Sequence, residues 1–248
     1  MKSTYSDVTC RTLDASERLF TSDETAMPLV IEALKHQNLD FLQQFLANNE
    51  ASLLADIAHY GAILLRGFKI QSDTDFESAI TALPHFKPIS EAFMAEEGRI
   101  HAPKCRYVLH TNAVYKTGGT LYLGGFHSEN YYSTDVPAFI AFCCLKPSAQ
   151  GGETGLVNME KVYKKANLNL FASSCETFGQ SLLESMAAGL PNVCSNYSVF
   201  KELLGNSAVY FNPKNSKNIA DSIKILLLSK SLRSRISKRS FELAKKYS

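Results

Sequence analysis

Residues 124–152 read GGFHSENYYSTDVPAFIAFCCLKPSAQGG, and how this stretch is read decides the fold of the larger part of the chain. At its centre stand His127, Ser128 and Glu129. In an extended strand, residues i and i+2 project from the same face. An imidazole and a carboxylate in that relation can grip one metal ion together. Two protein ligands hold a metal weakly, so a third has to come from elsewhere. Two histidines and one carboxylate with open positions suit non-haem Fe(II) and oxygen chemistry. A bare H-x-E also arises by chance, as a surface histidine beside a solvated carboxylate. The flanks narrow that choice. Residues 137–144, PAFIAFCC, form a short apolar run of the kind expected for a strand buried on both faces. Gly151-Gly152-Glu153-Thr154 is a turn signal ending in a hydroxyl, and residues 155–158 are expected as a further apolar strand.

The HSE triplet, the apolar run and GGET, with their spacing, resemble the taurine dioxygenase and clavaminate synthase group of Fe(II)/2-oxoglutarate enzymes over about residues 45–163. The resemblance implies that His127 and Glu129 are iron ligands and that Thr154 helps hold the 2-oxoglutarate carboxylate. It implies a jelly-roll-like double-stranded β-helix. It also implies a small-molecule substrate, oxidised as 2-oxoglutarate is decarboxylated. That group places a second histidine, the third iron ligand, far downstream, together with a basic residue for the distal carboxylate. No histidine follows His127 here, and Arg233, Arg235 and Arg239 lie outside the expected strand context. His101 and His110 are rival ligand candidates, but no partner spacing supports either. Impaired activity is the expectation.

Upstream, residues 1–24 are polar and expected to be irregular, and Asp23-Glu24 mark a helix start over residues 27–34. Residues 38–48 and 51–59 carry leucines and phenylalanines in helical rhythm, and Gly61 is a natural helix C-cap. GAILLRGF from Gly61 predicts a strand, and residues 73–83 a helix with Phe76 and Ile80 on one face. Residues 105–109 are a weaker strand candidate.

From about Val162 the text changes. YKKANLNLFASSCETFG from Tyr163, then QSLLESMAAGLP from Gln180, resemble the C-terminal donor domain of retaining GT-B glycosyltransferases. Glu176 and Glu184 form that family's E-x7-E pattern. The resemblance implies a nucleotide-sugar ligand, with Glu176 at the donor sugar as the catalytic-site carboxylate and Glu184 at the ribose. Strands over residues 167–172, 192–195 and 208–211 alternate with helices, which predicts a parallel sheet. Ligands bind such sheets beyond the carboxyl ends of the strands. That places Thr177, Phe178 and Gly179 at the binding edge, where a helix start offers N–H groups to phosphate. Glu184 also reads as an ordinary solvated helix residue. The family's acceptor domain and the first half of its donor domain have no counterpart in the text.

The fold class expected is therefore α+β. N-terminal helices and a partial jelly roll over residues 1–161 precede a partial Rossmann-like α/β segment over residues 162–248. Charge shifts at the same place: 13 basic against 19 acidic residues up to position 161, a balance of −6, then 13 against 5, a balance of +8. Six cysteines show no C-x-x-C spacing, so free thiols in a reducing cytoplasm are expected. No apolar run is long enough for a membrane span, no secretory leader is visible and no nucleic-acid partner is expected. A jelly roll and a Rossmann sheet each cut short would expose sheet edges, so self-association is expected.

Overall fold

Five residues, Val8–Thr12, pair antiparallel with Leu29–Ala33, which in turn pairs parallel with Ile63–Arg66; these are β1, β2 and β3, in that order across a mixed sheet. The register sets Val8 opposite Ala33, and Leu29 opposite both Thr12 and Ile63. This is a computed structural model, and it describes residues 5–18, 26–89, 100–110, 137–174, 176 and 179–247. The chain divides into two units, Met1–Leu156 and Val157–Ser248, and its mixture of helices and sheets makes it α+β.

Two expectations for the first unit need correction. The stretch expected as irregular contains β1, and the helix expected over residues 27–34 is the central strand β2. The run Pro28-Leu-Val-Ile is too short to display a period. Val30 and Ile31 are β-branched and fully buried, which favours a strand with neighbours on both sides. The two helical rhythms merge into one 22-residue helix, α1, Leu39–Tyr60. The Asn38 side chain accepts the Phe41 N–H at its start, and Gly61 closes it at φ 82°. Leu42, Phe45, Leu46 and Leu53 form its buried stripe, packed on Val8, Leu29 and Ile31. Two acids on that stripe are partnered: Asp56 accepts from the Tyr5 hydroxyl at 2.6 Å, and Glu50 faces His85 Nδ1 at 2.5 Å. A short helix α2, Asp73–Ile80, follows, capped by Ser72.

Residues 137–158 differ most from expectation. They contain no strand, and Phe139, Ile140, Phe142 and Leu145 are exposed. A strand exists only when neighbours satisfy its backbone groups, and among the described residues none lies beside this run. The expected 105–109 strand reduces to one bridge between His101 and Leu109. The jelly-roll expectation has no pair of strands behind it among the described residues.

In the second unit every expected element is present. Helix α3, Met159–Lys165, precedes strand β4, Asn169–Phe171. Then come α4 (Gln180–Ala187), β5 (Asn192–Ser195), α5 (Ser198–Leu204), β6 (Ala208–Phe211), α6 (Ser216–Leu228) and α7 (Lys230–Ala244). The strands run parallel in the order β4-β5-β6. Alternation sends Cys194, Ala208 and Tyr210 to one face, against Leu182, Met186, Phe200 and Leu204. It sends Val193, Val209 and Phe211 to the other, against Ile219, Ile223 and Leu226 of α6 and Ile236 of α7. Both faces of this sheet are thus covered, as is usual for a parallel sheet. Buried Asn192 ties the layers, its Oδ1 lying 2.7 Å from Ser185 Oγ and 2.8 Å from Asn169 Nδ2.

Candidate functional site

In a parallel sheet the loops after the strands gather at one edge, and the candidate residues of the second unit lie there. The loop after β4 carries Glu176, exposed, and ends in Gly179 at the start of α4. Gly179 has φ 83°, a left-handed conformation that only glycine adopts at little cost. A Cβ there would sit 3.5 Å from the Phe200 ring and 3.7 Å from that of Phe171, so the backbone turns tightly over an aromatic floor. Those two rings meet edge to face, 5.2 Å apart at 86°. Glu184 follows on α4, half-buried, its Oε2 accepting from the Tyr163 hydroxyl at 2.9 Å. Burial first, and then this carboxylate, push the Tyr163 phenol well above its ordinary range. Thr177 and Phe178 lie outside the described residues.

Sequence reasoning missed one residue at this edge. Ser195 ends β5, is fully buried, and its hydroxyl has no partner among the described residues. Buried hydroxyls are normally satisfied, so such an orphan calls for a partner. Its position as the last residue of an apolar strand was the available signal.

The first unit holds the other candidates. His127 and Glu129 lie outside the described residues, and Thr154 is exposed on irregular chain. Of the rival ligands, His110 is engaged, its Nε2 lying 3.2 Å from Asp73 Oδ2. His101 is different: its Nδ1 is buried with no partner among the described residues. Segment 100–110 is held by Glu77 on α2, whose Oε2 accepts the N–H groups of Arg106, Tyr107 and Val108 at 2.8, 2.6 and 3.2 Å. Burial alone would raise the Glu77 pKa, but these N–H groups hold it below the usual carboxylate range. Beside this anchor lies a cleft of about 290 Å³, lined by Asp73, Phe76, His110, Phe142 and Cys143 among others. Burial pushes the Cys143 thiol up, which keeps it protonated and weakly nucleophilic. Among the described residues no cluster of three His, Cys, Asp or Glu side chains could hold a metal. The described residues alone therefore offer no complete ligand set, and no step through iron follows from them.

Comparison with known proteins divides the chain in the same way. Residues 26–171 match the family described as taurine catabolism dioxygenase TauD, TfdA family, and residues 152–243 match glycosyl transferases group 1. The chain thus resembles one family in its first part and the other in its second, and the matches overlap across residues 152–171. One curated relative is the O-antigen chain mannosyltransferase RfbU of Salmonella typhimurium, 35% identical over 72 residues, which are 29% of this chain and 20% of that protein. Another is the dapdiamide synthesis protein DdaC of Enterobacter agglomerans, 27% identical over 106 residues, 43% of this chain and 30% of that one. The chain therefore spans less than a third of the length of either relative. Sucrose-phosphate synthase from Thermosynechococcus elongatus aligns with a TM-score of 0.35 at 21% identity, covering 38% of this chain and 25% of that structure. Among the described residues no helix is long and apolar enough to cross a membrane.

Proposed function

Because the chain belongs to the taurine catabolism dioxygenase TauD, TfdA family, which implies dependence on Fe(II) and 2-oxoglutarate, we propose that it carries an oxygenase unit whose iron site is incomplete within this chain. His127 and Glu129 are the two ligands it offers, and Thr154 is the hydroxyl for the 2-oxoglutarate carboxylate. The observation that carries this reading is in the sequence: no histidine follows His127. Of the upstream imidazoles, those of His85 and His110 face carboxylates, at Glu50 and Asp73. Iron held by two protein groups binds weakly, and oxidative turnover is impaired. Anaerobic Fe(II) titration followed by a 2-oxoglutarate consumption assay tests this. Sub-stoichiometric iron and no decarboxylation are expected; stoichiometric iron with turnover refutes it. Should turnover occur, His101→Ala and His110→Ala identify the imidazole that supplies the third ligand.

A second reading is supported by the orphan hydroxyl of Ser195 and the left-handed turn at Gly179, both at the carboxyl edge of the second sheet. Here a partial Rossmann-like segment binds a nucleotide-sugar, with Glu176 toward the sugar and Glu184 toward the ribose. Calorimetry with UDP- and GDP-sugars decides it: saturable heat lost in Glu184→Ala supports it. No heat from either donor leaves this part of the fusion inert. The finer fold that goes with both readings is a jelly roll cut short over residues 1–161, joined to residues 162–248, in a cytoplasmic protein.

A further inference from the structure

Between Ser216 and Tyr247 the second unit carries nine basic residues and two acidic ones. On α6 the inward stripe is Ile219, Ser222, Ile223 and Leu226, packed on the sheet. Lys217, Asp221, Lys224 and Leu228, spaced four, three and four residues apart, fall on the opposite face. Leu228 is 85% exposed and its neighbour Leu227 48%. They are not unfinished core, since the core side of the helix is already occupied. The corner that presents them is fixed: the Arg233 guanidinium donates to the Leu226 carbonyl at 2.8 Å and also to that of Leu227. Beside it lies a hollow of about 400 Å³, lined by Ser229, Ser231, Leu232 and Arg235. Lys230 is exposed at the same turn, and Arg235 and Lys238 are exposed farther along α7.

We propose that this corner is a docking surface for an anionic phospholipid membrane. Leu227 and Leu228 enter the boundary between headgroups and acyl chains, while Lys224, Lys230, Arg235 and Lys238 meet headgroup phosphates. Binding of this kind scales with buried apolar surface plus attraction to anionic lipid. Charge complementarity selects this occupant. A second copy docked through this same corner would bring like charges together, and a nucleic-acid backbone would use the cations but bury no leucine.

Flotation of the full chain with vesicles tests the proposal. Co-flotation with phosphatidylglycerol-containing vesicles at low salt is expected, with none on pure phosphatidylcholine and release as salt rises. Leu228→Asp, and separately the double variant Arg235→Glu/Lys238→Glu, should each lower partitioning at least about ten-fold with an unchanged thermal melt. Leu228→Ser, a milder change, should fall between wild type and Leu228→Asp. Absence of flotation on anionic vesicles overturns the proposal, as does flotation indifferent to all three variants. So does tighter binding to duplex DNA that Leu228→Asp leaves intact.

Discussion

Glu77→Gln isolates the contact that anchors segment 100–110. In the wild type, one carboxylate oxygen receives three successive backbone N–H groups at 2.8, 2.6 and 3.2 Å. Hydrogen bonds to a charged acceptor contribute about 1.5–3 kcal/mol when well formed. Three share one oxygen here and the site is half open to water, so the sum is far less than three full bonds; about 1–2 kcal/mol is a reasonable net loss on neutralising the group. That corresponds to a roughly 5- to 30-fold change in local opening. The measurement is amide hydrogen exchange at Arg106, Tyr107 and Val108, corrected for intrinsic rates. The pH dependence supplies a second readout. Glu77 titrates lower in the fold than in the unfolded chain, where a glutamate sits at about 4.3. Its contribution is therefore fully present above about pH 4.3 and is lost as pH falls through the depressed folded value. Wild-type protection should fall on acidification, while Glu77→Gln should already be low and stay flat. Wild-type exchange rates in Glu77→Gln would refute the reasoning.

Three other predictions concern each unit by itself. Gly179→Ala forces a Cβ into a left-handed conformation at φ 83° and should destabilise the second unit by about 1–2 kcal/mol in urea titration; an unchanged midpoint refutes the strained turn. Burial pushes the Cys194 thiol up to about 12, so iodoacetamide should label exposed Cys144 in the native protein and Cys194 only after denaturant is added. Limited thermolysin digestion should cut first within residues 139–145, where Phe139, Ile140 and Phe142 are exposed; first cuts inside α1 would refute it.

The second unit was legible because its local signals agree with each other. Gly205 ends α5 at φ 50°, Asn215 caps α6 through the Asn218 N–H, and each apolar run between such punctuation is one strand with both faces covered. Pairing here joins strands adjacent in the chain, so the text that names a strand also names its neighbour. In the first unit the strands also pair in chain order, but the local signal that would name them is absent. Pro28-Leu-Val-Ile carries no period, and only the pairing with residues 8–12 and 63–66 decides that it is a strand. Ser195 escaped notice for a related reason: a serine at the end of an apolar strand looks like a boundary, and its burial depends on elements packed around it.

Residues 137–145 give this contrast its physical content. Apolar side chains of the 137–145 run stay open, Phe139 at 46% exposure and Phe142 at 63%, while Val193 and Cys194 of β5, a strand with asparagine and serine at its ends, are fully buried. Composition is therefore not what separates a strand from irregular chain; a neighbour is. Val193 and Cys194 have backbone partners on both sides, in β4 and β6, and helices over each face. The 137–145 run keeps its sequence preference but, among the described residues, lacks the strands that would satisfy its backbone groups. The residues that the family resemblance leads one to expect at iron and 2-oxoglutarate, His127, Glu129 and Thr154, flank this same run in the sequence. A ligand set placed by strands depends on those strands being paired, so on the proposed oxygenase reading a third donor alone would not build a metal site unless this run also gained a sheet neighbour.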